Sequence, residues 1–197
     1  MNDSRQIQDR TRRLVVAITG ASGATLGIRT LEMLQTMDIE SHLVLSPAAH
    51  ATISQETDRK ISAVQKLADV SYNHQDIGSA IASGSFSTMG MIVIPCSIKS
   101  LSAIANSYAD DLITRAADVT LKEGRQLLLV VRETPLHRGH LRLMSLAAEA
   151  GAVIFPPVPA FYARPETLDD MIDNTVGRAL ARLGIENEGY VQWKGMQ

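Results

Sequence analysis

Disulfide chemistry is closed to this chain: it holds a single cysteine, Cys96. That usage suits a reducing compartment. No run of about 18 apolar residues occurs, so no ordinary membrane-spanning helix is expected. Charge of one sign is not in excess either. With 19 Lys and Arg against 21 Asp and Glu, the formal net charge is -2. A global basic footprint for nucleic acid is therefore missing, and any positive charge that binds a ligand must be local. The five histidines, at 42, 50, 74, 137 and 140, show no close metal-ligand spacing. His137 and His140 are a helical pair without acidic or cysteine ligands nearby, so no metal site is expected. The opening MNDSRQIQDRTRR lacks the apolar stretch of a secretory signal. Residues 1–13 are expected to form a flexible leader, 14–197 one domain, and the location to be cytoplasmic.

What is present is ordinary for a globular protein: 45% hydrophobic and 20% charged residues in a chain of 197, enough for one compact core. Short apolar runs alternate with helical patterns. Leu14 to Thr19, LVVAIT, is β-branched and continuously apolar, as a strand buried on both faces should be. A glycine loop follows, then a helix over Thr25 to Met37. Leu26, Met33 and Met37 lie on one face of it, with Ile28, Leu31 and Leu34 beside them. Further strands are expected at His42 to Leu45, ended by Ser46-Pro47, and at Met91 to Ile94, Leu127 to Val131 and Ala152 to Phe155. Helices are expected at Leu101 to Asn106, Asp111 to Lys122, 138–150 and Leu168 to Leu183. The stretch Glu56 to Ser85 reads poorly, apart from a helix-like piece around Ala63 to Ala68. This alternation predicts an α/β domain with a mostly parallel sheet. Ligands of such sheets bind beyond the carboxyl ends of the strands. The loops Gly20 to Gly23, Ser46-Pro47, Pro95 to Ser100, Arg132 to Leu136 and Pro156 to Tyr162 should then converge on one site.

Each loop has a chemical and a plain structural interpretation. GASGATLG, Gly20 to Gly27, lets a ligand approach the backbone, and the free N–H groups of a helix start favour an anion. It has the wrong glycine spacing for a dinucleotide fingerprint and no P-loop lysine follows; it can also be a tight turn. Pro95-Cys96-Ser97-Ile98-Lys99-Ser100 offers small polar donors and a lysine to a phosphate or a flavin edge, or a helix cap by Ser97 or Ser100. Cys96 reads as packing, since no histidine adjoins it in sequence. Arg132 can bind phosphate bidentately. Glu133, at a partly buried strand end, can act as acid or base; alternatively the two form a surface ion pair. Arg115 and Lys122, seven apart, share a helix face and can clamp one anion, or simply solvate. Phe161 and Tyr162 sit in a proline-rich loop that either covers an apolar ligand or makes a rigid connection.

Taken in order, GASGA, PCSIKSLSAI, TRAADVTLKE, RETPL and PPVPAFYARP make the chain resemble the flavin prenyltransferases of the UbiX/Pad type. The resemblance runs from Leu14 to Leu183 and takes in the tail to Trp193. It implies a three-layer α/β/α sandwich, flavodoxin-like or Rossmann-like, assembled into dodecamers with sites between subunits. It implies FMN held by Gly20, Ala21, Ser22, Ser46, Ser97, Ile98, Lys99, Ser100 and Arg132. It implies dimethylallyl phosphate held by Arg115, Lys122, Tyr162 and Arg178, with Trp193 helping to close the site. Glu133 matches the catalytic glutamate and Ser22 a serine near flavin N5. The implied reaction, without metal, joins a dimethylallyl group to N5 and C6 of reduced FMN. The product serves a partner decarboxylase of the UbiD type, in ubiquinone synthesis or phenolic-acid metabolism. The chain departs from the pattern at Ala24-Thr25-Leu26-Gly27, where many relatives have an aromatic residue before the last glycine, and in its longer leader. Three rivals share the fold: a flavoprotein decarboxylase of a cysteine-derived carboxylate, with His50 placed for its base; an aromatic acid decarboxylase; and a non-catalytic flavin carrier or subunit.

Overall fold

Six of the chain's apolar or half-apolar runs become strands: β1 (Arg13–Ile18), β2 (Glu40–Leu45), β3 (Val70–Tyr72), β4 (Gly90–Cys96), β5 (Gln126–Val131) and β6 (Val153–Ile154). They come from a computed structural model that describes residues 12–195. Most of the leader expected over 1–13 lies outside the described residues; Arg13 already opens β1. The strands form one sheet in the order β3-β2-β1-β4-β5-β6, and every pairing is parallel. This is the doubly wound order of Rossmann-type sheets. The connections are α1 (Ala24–Leu34), α2 (Pro47–Glu56), α3 (Ile61–Gln65), α4 (Ile98–Ala105), α5 (Leu112–Lys122), α6 (Arg138–Glu149) and α7 (Leu168–Arg182).

Side-chain alternation along the strands splits the core in two. Leu14, Val16 and Ile18 of β1, Ile92 and Ile94 of β4, and Leu128 and Val130 of β5 pack with α1, α2 and α7. Val15, Ala17, Met91, Val93, Leu127, Leu129 and Val131 pack with α4, α5 and α6. The central strands are thus apolar on both faces, which is why they read as unbroken runs. The expected three-layer α/β/α sandwich is the architecture observed.

Boundaries differ where a local signal misled. The first helix ends at Leu34 rather than Met37, and α4 begins at Ile98 rather than Leu101. β4 runs two residues past Ile94, to Cys96, with a register shift after Val93. Pro47 ends β2 but also starts α2 as its first residue, where its missing N–H is harmless. Only Ala49 and Ile53 of α2 are buried, too thin a stripe to show as periodicity. β3 has three partly or fully exposed residues at the sheet edge, so no apolar run announced it.

Candidate active site

The strand order reverses between β1 and β4, and the loops after these two strands face each other across that crevice. Thr19 holds them together. Its buried hydroxyl donates to the Pro95 carbonyl (2.7 Å) and accepts from the Ser97 N–H (2.8 Å). The Ser46 N–H donates to the Ile18 carbonyl (3.0 Å), which adds the loop after β2. The Arg132 N–H donates to the Cys96 carbonyl (3.1 Å), which adds the loop after β5. Four of the five loops expected to converge are therefore bonded at one end of the sheet. Glycine is required at Gly20, because a side chain there would run into the Ala48 side chain on α2.

Ser22, Lys99 and Arg132 are exposed in this crevice. Ser97 caps α4, its hydroxyl accepting from the Ser100 N–H (3.3 Å) and lying 3.2 Å from the Ser100 hydroxyl. Ser46 caps α2 in the same way, accepting from Ala49 N–H (3.1 Å). Capping uses a lone pair of each serine and leaves its O–H to donate. Hydroxyls, the amide groups opening α4 and a guanidinium make a donor-rich cradle, with no acidic side chain among Gly20, Ala21, Ser22, Ser46, Ser97 to Ser100 and Arg132. Such a donor set fits a flavin mononucleotide, whose phosphate and ring edge are rich in acceptors.

The first glycine loop itself does not offer the anion site that its sequence suggests. The N–H groups of Gly23 (2.8 Å) and Ala24 (2.9 Å) already donate to the Glu56 carboxylate, at the end of α2. An internal anion thus sits on the start of α1 and takes up two of its N–H groups. Glu56 fixes the loop carrying Ser22 from 33 residues away. Neither Glu56 nor Thr19 was singled out in sequence, because their partners are distant and no local motif marks them.

A cavity of about 280 Å³ joins Ser22 and Gly23 to Arg132, to Pro157 and Pro159 of the proline loop, and to Met171 and Thr175 of α7. Arg178 continues the stripe 171–175–178 along the same helix face and is exposed. Tyr162 donates its hydroxyl to the Val191 carbonyl (3.2 Å), and its ring meets Trp193 edge-on, centroids 5.5 Å apart. Glu133 is exposed in the single subunit rather than partly buried, since it lies beyond the last residue of β5. Its carboxylate accepts from the Thr134 N–H (3.0 Å) and forms no ion pair with Arg132 among the described residues.

Arg115 and Lys122 do share a flank of α5. Arg115 Nε donates to the Ala82 carbonyl (3.2 Å) and a terminal nitrogen to Asp118 (3.0 Å); Lys122 pairs with Glu123 beside Gly84. But α5 packs on one face of the sheet and α7 on the other. Within one subunit Arg115 and Lys122 therefore do not meet Arg178.

Two further cavities adjoin the crevice. A cavity of about 620 Å³ is lined by Arg29, Glu32, Asp58, Arg59, Asp169 and Asp173. Both of its arginines are paired: Arg59 with Glu32, and Arg29 with Asp173 twice (2.6 and 2.9 Å), which holds the Arg29 guanidinium firmly protonated. His50 opens on a separate cavity with Pro47, Tyr72 and His74, away from Ser22 and Arg132. Cys96 is fully buried, and burial pushes its thiol up to about 12; it is packing, not a nucleophile.

Residues 2–179 match the Flavoprotein family. The flavin prenyltransferase UbiX of Escherichia coli K12 is 57% identical over 187 residues, covering 93% of this chain and 99% of that protein. A crystal structure of AnUbiX (PadA1) with FMN and dimethylallyl pyrophosphate superimposes with a TM-score of 0.93 at 51% identity, over 95% of this chain and 100% of that one. A dodecameric FMN-dependent UbiX-like decarboxylase from Escherichia coli O157:H7 superimposes with a TM-score of 0.90 at 48% identity, over 93% of this chain and 100% of that one.

Proposed function

We infer the function from one premise: the chain belongs to the flavin prenyltransferase family of the UbiX type. It is an FMN-binding prenyltransferase that transfers a dimethylallyl group from dimethylallyl phosphate to reduced FMN. The observation that carries this reading is the single crevice where Ser22, Arg132, the proline loop and the α7 stripe leading to Arg178 meet. A donor-rich cradle stands on one side of it and an aromatic pair, Tyr162 and Trp193, flanks the proline loop on the other.

Bound reduced FMN supplies N5 and C6, the atoms that accept the prenyl group. Gly20, Ala21, Ser22, Ser46, Ser97, Ile98, Lys99, Ser100 and Arg132 are the residues that would hold it, with the phosphate at Arg132 and the start of α4. Arg115, Lys122 and Arg178 would bind the phosphate of the donor and stabilise its charge as the allylic C–O bond breaks, the electrostatic work that a metal does elsewhere. Arg115 and Lys122 stand on the far face of the sheet from Arg178, so in this reading they come from a neighbouring subunit of an oligomer, which we take to be a dodecamer. Glu133 would deliver a proton to the leaving phosphate and accept one as the new ring closes. Its exposure in the single subunit agrees with a place where a second subunit completes the site. Ser22 would relay a proton at N5. Tyr162 and Trp193 would shield the apolar dimethylallyl group. We assign the protein to the cytoplasm, and its product to a UbiD-type decarboxylase that uses prenylated FMN.

Following inorganic phosphate tests the reaction class. Phosphate should leave dimethylallyl phosphate only when reduced FMN is bound. Release without flavin would mark a phosphatase, and carbon dioxide from a phenolic acid in the presence of oxidised FMN would mark a decarboxylase.

A further inference from the structure

We propose that Asn187 is a positioning residue for the dimethylallyl site: it fastens the C-terminal tail across α7 and so sets Trp193 against Tyr162. The inference rests on the reading of Tyr162, Arg178 and Trp193 as substrate-binding residues.

Beyond α7 the chain turns at Gly184 and runs back over the helix. Asn187 uses its whole side-chain amide there. Its nitrogen donates to the carbonyls of Gly177 and Ile185, each 3.0 Å away, and its oxygen accepts from the Gly189 N–H, also 3.0 Å. Gly177 is the seat of this contact. It is buried inside α7 with helical geometry, a position where glycine weakens a helix relative to alanine and needs a compensating reason. The reason is close approach. A Cβ on Gly177 would stand 2.7 Å from the Asn187 oxygen and 2.7 Å from the Gly189 backbone. On its other side Gly189 presses on Met33 of α1.

The seat adjoins Arg178 in sequence, and the tail is tied again four residues on from Asn187, where the Tyr162 hydroxyl reaches the Val191 carbonyl. Trp193 is 58% exposed, so burial alone does little to hold it. Its place beside Tyr162 follows from these two fastenings. An apolar allyl group needs a dry wall that a loose tail cannot give. The FMN cradle is built from other loops and does not depend on the tail.

The test uses the full chain with FMN bound. Trp193 is the only tryptophan, so its fluorescence reports the tail directly. Asn187→Ala and Gly177→Ala should both lower the anisotropy of Trp193 emission, as a freed tail lets the indole turn. Both should raise KM for dimethylallyl phosphate by roughly tenfold, the scale expected when about one net hydrogen bond's worth of docking is lost. FMN affinity should not change. Gly177→Ala sets a Cβ against the Gly189 backbone, so both variants should lower Tm as the tail loses its seat. A merely structural role would weaken FMN and dimethylallyl phosphate binding together, whereas a positioning role raises KM for dimethylallyl phosphate alone. Unchanged anisotropy, unchanged KM, or a matching loss of FMN affinity in either variant would overturn the proposal. If the wild type released no phosphate from dimethylallyl phosphate, the functional reading would fall and this one with it. If the wild type turned over and the variants matched it, only this one would fall.

Discussion

Replacing Thr19 with valine probes the joint on which the FMN crevice depends. The substitution keeps the shape and removes one hydroxyl. Two contacts go with it: donation to the Pro95 carbonyl (2.7 Å) and acceptance from the Ser97 N–H (2.8 Å). The Pro95 carbonyl keeps a second partner, the Thr19 N–H at 3.3 Å. The Ser97 N–H, which belongs to the cap of α4, is left without its acceptor. An unpaired buried donor costs about 1–3 kcal/mol. Ser97 is only partly buried, so water can reach it, and about 1–2 kcal/mol is the expected loss of apoprotein stability. The loops after β1 and β4 would then relax apart, and FMN affinity should fall roughly tenfold, as about 1.4 kcal/mol implies. Thr19→Ser keeps the hydroxyl and is the control. Urea unfolding of the apoprotein and a flavin fluorescence titration read the two effects. If Thr19→Val bound FMN as tightly as Thr19→Ser while losing stability, the clamp would be structural only. If neither quantity moved, the bridging geometry would carry no weight.

Glu133→Gln should retain FMN and slow prenyl transfer by about a hundred- to ten-thousand-fold, the range for a lost acid–base group; full turnover with chemistry rate-limiting would remove Glu133 from proton transfer, and loss of FMN would make it structural. Treatment with EDTA should leave phosphate release intact, since Arg115, Lys122 and Arg178 are assigned the electrostatic task; activity restored by magnesium after chelation would contradict this. His42 sets an acid limit on stability. It is 1% exposed, and burial lowers its pKa below the usual 6.5, with Glu40 at its Nε2 opposing only in part. The unfolded chain then binds the extra proton more readily, so stability is fully present above about pH 6.5 and declines as pH falls toward the folded-state pKa. Urea midpoints measured from pH 7 to pH 5 should fall less in His42→Gln than in the wild type; identical slopes would refute the assignment.

The central sheet was legible because β1, β4 and β5 are buried on both faces, so LVVAIT, MIVI and LLLVV stand out against any background. α2 and β3 were not. α2 buries two side chains and hides behind a proline that also ends a strand; β3 is a three-residue edge. Most of the loops at the crevice could be placed by rule, since each follows an apolar strand. What no local pattern could show is how they are tied together. Thr19 to Ser97 spans 78 residues, Glu56 to Gly23 spans 33, and both bonds need the folded sheet. Glu56 also reversed one expectation, by filling the α1 terminus that the glycine loop seemed to leave open. That Arg115 and Lys122 share a flank of α5 followed from their spacing of seven. Their separation from Arg178 by the thickness of the sheet appears only in three dimensions.

The claim at the centre of this account is that the chain modifies FMN rather than using it. Purified protein mixed with reduced FMN and dimethylallyl phosphate under anaerobic conditions, then denatured, should release a flavin heavier by one dimethylallyl unit, as read by mass spectrometry. Recovery of FMN at its original mass, from a sample in which binding of both compounds had been verified, would contradict it.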